Sequence, residues 1–313
     1  MNKVLHPNPS MVSRLKLFLA LSRTPHGLLD MATPALAAIL WLGRMPSLKV
    51  SLLGAITGFA GYTAVYALND VVDYRVDREK MRENAVRPSA TTDLDAVYVR
   101  HPLAQGLLPY WQGLAWAAGW ALVALLGAYL LNPMCALLFV AGCLLETIYC
   151  LLLRITYLRV LVSGVVKTLG GIAAVYAVSP SPSLAFVVAM FLWLFAWEIG
   201  GQNVPNDWAD KEEDEQLRAR TIPVHFGVHR ASTIIIWCLG GTVVLSVLLI
   251  QLTPVKIAIW SSALIVTSGI GLLLIPGYQL YRGREPRQAA ILFNRASYYP
   301  LCLFLILAVN HLC

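Results

Sequence analysis

Two stretches carry side chains whose types and spacing suit cation chemistry, Asn69-Asp70-x-x-Asp73-x-x-x-Asp77 and Asn206-Asp207-x-x-Asp210-x-x-x-Asp214, and Asp207 follows Asp70 by 137 positions. If each stretch is helical, offsets of three and seven residues return three carboxylates to one side, because two turns take about seven residues. Each motif is then a one-faced acidic stripe. Two such stripes can be held together in an apolar chain only with positive charge between them. Divalent cations meet that need, their coordination completed by the oxygens of a phosphorylated substrate. Either motif alone is equally well explained as a solvated acidic helix end, whereas the repetition, leading Asn included, points to a shared site. The candidate metal ligands are Asp70, Asp73, Asp77, Asp207, Asp210 and Asp214, with Asn69 and Asn206 beside the substrate.

The elements that must position these groups are membrane helices. Hydrophobic residues make up 58% of the chain and charged residues 13%, and the mean hydropathy is +0.65, which excludes an ordinary soluble domain. Crossing a bilayer takes about 20 apolar residues. Nine stretches qualify: 22–43, 51–69, 112–131, 133–153, 160–178, 183–203, 232–252, 256–276 and 290–311, the first interrupted by Asp30 and Pro34. The expectation is an all-α integral membrane protein, a single membrane domain over 1–313 with two motif-bearing halves, 1–153 and 154–313. Connections 70–110 and 204–231 would cap the site. With the amino terminus inside, 20 of the 24 Lys and Arg residues fall on the inner side, Arg44, Lys49 and Lys256 fall outside, and Lys167 lies within span five. This asymmetry orients the chain and accounts for the net charge of +7, so nucleic acid is not an expected partner. Spans two and six both descend inward and bring both motifs to the inner face. The first 17 residues, with Lys3, His6, Arg14 and Lys16 and no apolar core, do not read as a cleavable signal, which fits a bacterial or archaeal inner membrane.

Two charges lie inside predicted spans, Asp30 and Lys167, and an intramembrane charge is a functional-site candidate that otherwise needs a partner or a cavity. Glu146 and Tyr149 come late in span four, and the aromatic residues of spans two and six, Tyr62, Tyr66, Trp193 and Trp197 among them, could line an apolar tunnel or simply pack. The six cysteines form no CxxC pair and the six histidines show no ligand spacing, which argues against a disulfide framework and a zinc site. Arg75, Arg78, Lys80, Arg82 and Arg87 follow the first motif. Basic groups beside metal-binding carboxylates suit a diphosphate leaving group, although inner-side topology alone would also place them there. The chemistry that follows is ionisation of an allylic diphosphate and capture of the carbocation in a dry apolar pocket.

At these residues the sequence resembles the UbiA family of intramembrane prenyltransferases. The resemblance spans the chain: nine expected spans, the two aspartate motifs after spans two and six, Pro102-Leu103-x-x-Gly106 and Thr221-x-Pro223-x-x-x-Gly227. It implies a helical bundle around a central cavity, two Mg²⁺ held by the two motifs, and transfer of an isoprenoid chain to a lipophilic acceptor, most commonly an aromatic quinone precursor. By position it implies that Arg78 and Lys211 reach the diphosphate. Tyr149 and Arg159 are the counterparts of a tyrosine and a basic residue near the site. Where the family carries Arg-Pro directly before Leu-x-x-Gly, here Arg87-Pro88 and Leu103-x-x-Gly106 are separated by an apparent insertion over 88–102. A UbiA-type terpene cyclase shares the same ionisation, and a secondary transporter shares the internal repetition and buried charges. No obligate protein partner is evident.

Overall fold

Backbone in hydrocarbon must satisfy its own hydrogen bonds, and the described residues of this chain do so as helices with no strand among them. The computed structural model describes residues 11–83, 97–254 and 257–312. Expectations for Lys3, His6, Arg87-Pro88, Lys256 and residues 88–96 of the insertion lie outside the described residues.

In chain order, α1 (Met11–Leu21), α2 (Thr24–Asp30) and α3 (Ala32–Leu42) are short. The long α4 (Leu48–Val72) leads into α5 (Tyr74–Glu83). Then come α6 (Tyr110–Leu131), α7 (Pro133–Leu151) and α8 (Arg159–Val178). Helix α9 (Leu184–Trp197) runs through a π-helical turn, Glu198–Asn203, into α10 (Val204–Ala209) and α11 (Lys211–Gln216). The chain closes with α12 (Ile222–Leu252), α13 (Ile259–Gly269), a second π-helical segment (Ile270–Leu274), α14 (Ile275–Gly283), α15 (Pro286–Ser297) and α16 (Tyr299–Leu312).

Eight helices among the described residues are long and apolar enough to cross a membrane, against nine expected. The difference is the first stretch, 22–43, which forms α2 and α3 with a break at Met31. Pro34 has no N–H to offer the Asp30 carbonyl four residues back, which weakens one helical turn at that point. Asp30 is also drawn sideways to Lys167. The pieces still pack inward, with Leu36, Ala37 and Ile39 of α3 buried against α8 and α16.

Helix α9 is apolar on every side because it faces both the core and the lipid, with Leu184, Val188 and Leu192 exposed along one face. Its Phe186, Met190, Trp193 and Trp197 are buried at the centre of the core. Close approach of α8 to α9 needs glycine: a Cβ on Gly164 would meet the Phe195 ring at 2.6 Å, and one on Gly171 would meet Leu194 at 2.5 Å. Helix α12 begins ten residues before the expected span, with a break at Gly227, whose φ of 77° only glycine adopts without strain. Large apolar side chains such as Leu130, Leu144, Leu184 and Ile259 are exposed around the bundle, as a lipid-facing belt requires.

Candidate active site

The first motif straddles the junction of α4 and α5, and the second the junction of α10 and α11, yet both keep helical bonding through the break. Asp73 N–H donates to the Asn69 carbonyl at 2.9 Å and Asp77 N–H to Asp73 at 2.9 Å; the matching pair in the second motif is Asp210 to Asn206 at 3.1 Å and Asp214 to Asp210 at 3.0 Å. The two acidic stripes are thus the same local structure used twice, and all eight Asn and Asp side chains line one cavity.

That cavity has a volume of about 590 Å³ and passes from the carboxylates into apolar surroundings. Along α4 its wall runs from Asp70 past Tyr66 and Tyr62 to Gly58, Gly54 and Val50. At 1.5 Å per residue this is about 30 Å, the thickness of a hydrocarbon core. Of the aromatic residues considered for a tunnel, Tyr62 and Tyr66 line it, whereas Trp193 and Trp197 pack in the core.

Cations hold the acidic mouth together. Arg23 lies 3.5 Å from Asp70 and donates to Asn69 Oδ1 at 3.1 Å. Asn69 in turn donates to Glu146 Oε1 at 2.8 Å. Arg159 is buried, sits 4.0 Å from the Tyr149 ring centroid, and has Nε and Nη1 without a hydrogen-bond partner, so donors remain to meet an anion. The Tyr149 hydroxyl accepts from Asn203 at 2.9 Å.

The π-helical turn supplies the opposite wall. Its wider winding brings Glu198 and Asn203 together on Ser163, which donates to Glu198 at 2.7 Å and accepts from Asn203 at 3.1 Å. Such insertions are frequent at functional sites. Deeper still, Asp30 accepts from Lys167 Nζ at 2.6 Å and from the Tyr66 hydroxyl at 2.5 Å, with His26 Nε2 3.7 Å away. Both suspected intramembrane charges therefore pair with one another on the cavity wall.

The structure does not bring Arg78 or Lys211 to the cavity. Arg78 is exposed and reaches the Tyr74 hydroxyl at 3.4 Å, and Lys211 pairs along its own helix with Glu215 at 2.6 Å. Lys80, two positions beyond Arg78, lines the cavity instead. One further pair escaped sequence reasoning. Arg100 bonds Asp210 and lies 3.7 Å from Glu213 in the second motif, while the adjacent His101 puts Nδ1 2.9 Å from Asp77 and 3.5 Å from Asp70 in the first. The signal was present, since His101-Pro102 directly precedes Leu103-x-x-Gly106, where the resemblance calls for Arg-Pro.

Burial raises the carboxyls of Asp73 and Asp214 to about 6 each, with neighbouring Asp77 and Asp210 adding to the effect. Burial would also raise Asp77, but the His101 charge holds it below the usual carboxylate range. His101 itself, despite burial, is held up at about 9 by Asp77 and Asp70. Once ionised, the six clustered aspartates offer the oxygen donors that hard divalent cations take, so they fit Mg²⁺.

The UbiA prenyltransferase family matches residues 31–303. Digeranylgeranylglyceryl phosphate synthase from Thermococcus sibiricus is 26% identical over 275 residues, covering 88% of this chain and 90% of that protein. The 4-hydroxybenzoate octaprenyltransferase of Shewanella woodyi is 25% identical over 315 residues, covering 97% and 99%. A UbiA homologue from Archaeoglobus fulgidus, solved bound to DMAPP and Mg²⁺, superposes with a TM-score of 0.66 at 18% identity, over 93% of this chain and 99% of that one. The shared fold, the paired aspartate motifs and the family match over residues 31–303 set the transporter reading aside: this chain is an integral membrane enzyme belonging to the UbiA prenyltransferase family.

Proposed function

We propose that the enzyme transfers an isoprenoid chain from an allylic polyprenyl diphosphate to a lipophilic, aromatic quinone-precursor acceptor. The observation that carries this reading is the single cavity that joins a cluster of carboxylates and cations to about 30 Å of apolar wall. A diphosphate suits the first part and a hydrocarbon chain the second. The aromatic acceptor rests on the polar Asp30–Lys167–Tyr66 group on the cavity wall, which a phenol or carboxylate would meet, and it is the acceptor type for which the Shewanella woodyi enzyme is named.

Asp70, Asp73, Asp77, Asp207, Asp210 and Asp214 would hold two Mg²⁺, with Asn69 and Asn206 beside them. When bound, the ions would neutralise the diphosphate as its bond to the allylic carbon breaks. Arg159, Lys80 and Arg23 line the same mouth and add donors for the departing oxygens. Tyr62 and Tyr66 line the cavity beyond the mouth, where positive charge would develop on the hydrocarbon, and aromatic rings attract cations. The apolar wall keeps out the water that would quench that charge. We place the mouth on the cytoplasmic face of a bacterial or archaeal inner membrane, following the distribution of Lys and Arg, in a single membrane domain whose halves each contribute one motif.

The test is diphosphate release and product mass from geranyl, farnesyl and longer allylic diphosphates with purified enzyme, in Mg²⁺ and in EDTA. Each donor is offered with a hydroxybenzoate, a prenylated glyceryl phosphate and no acceptor. An adduct with the hydroxybenzoate alone is the expected result. A glyceryl phosphate adduct overturns the aromatic assignment, and a cyclised hydrocarbon formed without acceptor identifies a terpene cyclase.

A further inference from the structure

We infer that His101 is a metal ligand, so that the first aspartate motif forms a mixed nitrogen–oxygen site preferring Mn²⁺, Co²⁺ or Zn²⁺ to Mg²⁺. The inference rests on reading the motifs as the metal-dependent diphosphate site, and changes which ion that site selects.

Three donor atoms, one each from Asp70, Asp77 and His101, lie within 4.8 Å of one another. Ligands about 2.1 Å from a common ion sit about 3–4 Å apart, depending on the angle between them. The Nδ1 distances of 2.9 Å to Asp77 and 3.5 Å to Asp70 fall in that range. The imidazole is 10% exposed, and Nδ1 lies in ion-pair range of both carboxylates without a hydrogen bond to either. A buried ring nitrogen is therefore aimed between two carboxylates, where a divalent cation can take the place of its proton.

The loop holds it there. Gln105 N–H donates to the His101 carbonyl at 3.1 Å, the Gln105 side chain donates to the Arg100 carbonyl at 2.7 Å, and the Pro102 carbonyl accepts from Leu107 at 3.0 Å. Leu103 is buried beneath Gly113, so the turn is anchored to α6. His101 takes φ of 51°, a conformation disfavoured for a residue with a Cβ.

The two neighbours in this loop are chemically unequal. Arg100, which meets the second motif, has five N–H donors and no lone pair, so it can neutralise carboxylates but cannot ligate. His101, which meets the first, can do both. Imidazole is a good ligand for the later first-row ions and a poor one for Mg²⁺, which demands hard oxygen donors in octahedral array. Where the family resemblance calls for arginine, this chain thus carries a residue able to enter the coordination shell, and only at one of its two motifs.

The test is pulsed electron paramagnetic resonance of the full-length protein in micelles, loaded with substoichiometric Mn²⁺, before and after labelling histidine with ¹⁵N. The expected result is a directly bonded nitrogen coupling in the wild type that changes with the label and is lost in His101→Gln. Competition calorimetry should show wild type favouring Mn²⁺ over Mg²⁺, with that preference reduced at least about tenfold in His101→Gln. Mn²⁺ bound in an Asp70-dependent manner without nitrogen coupling overturns the inference and leaves the two-motif site standing. Absence of any Asp70-dependent binding overturns both.

Discussion

Replacing Lys167 by methionine should destabilise the protein, and the size of the loss can be worked from the geometry around Asp30. The Asp30 side chain is 1% exposed and the Lys167 side chain 14%, with 2.6 Å between their charged atoms. Breaking a buried ion pair by removing one partner costs about 3–5 kcal/mol, because the other charge is left without compensation. Here Asp30 keeps the Tyr66 hydroxyl and nearby His26, which places the expected loss at the lower end, about 3 kcal/mol. With an unfolding entropy of about 2.1 cal/mol/K per residue over 313 residues, that corresponds to a fall of about 5 °C in melting temperature. The double variant Asp30→Asn/Lys167→Met carries neither charge and should recover about 2 kcal/mol of the loss, close to 3 °C. Melting of wild type, both single variants and the double variant in detergent micelles, followed by Trp fluorescence, measures the coupling. A double variant that melts at or below Lys167→Met would show that the two charges do not compensate one another, and the reasoning would fail.

Asp70→Asn and Asp207→Asn should each lower Mg²⁺-dependent diphosphate release by at least about 100-fold, as loss of metal-assisted charge neutralisation requires; single-turnover release assays check this. Arg159→Met and Lys80→Met should lose about 10–100-fold in the same assay, while Arg78→Ala and Lys211→Ala stay within about threefold of wild type, since neither side chain reaches the cavity. Asp73 and Asp214, both raised to about 6, bind a cation only as carboxylates. Divalent cation affinity should therefore fall about tenfold per group between pH 7 and 5, which calorimetry at the two pH values would reveal. Because their pKa values lie above those of the unfolded chain, the metal-free protein gains stability from these two groups as pH falls through 6. Gly227→Val should cost about 1–3 kcal/mol through strain at φ 77°, visible as a lowered melting temperature.

Periodicity and repetition in the sequence already carry the helices and the paired motifs. Apolar runs of about 20 residues require membrane helices, because the alternative that satisfies its backbone in lipid, a closed barrel, is built of short alternating strands, and the duplicated Asn-Asp-x-x-Asp-x-x-x-Asp pattern contains its own geometry. Asp30 and Lys167 stood out because an isolated charge is costly in a bilayer, and that cost also implies partners. That each is the other's partner, across 137 residues of chain, belongs to the fold, which packs α2 against α4 and lets Lys167 reach from α8 to Asp30. The break at Met31 was foreshadowed by Pro34 but hidden by the apolar run around it. Whether a basic residue near a motif faces the cavity depends on a rotation of about 100° per residue, so Arg78 points out and Lys80 in, a distinction that motif position does not contain. His101 is the clearest case of what tertiary structure alone decided. It lies 24 residues after Asp77, and although its place before Pro102-Leu103-x-x-Gly106 marks it, a lone histidine has no ligand spacing that names the carboxylates it meets. Only the anchoring of the Arg100–Gly106 turn on α6 turns it toward Asp70 and Asp77, and with it the chemistry of the first motif.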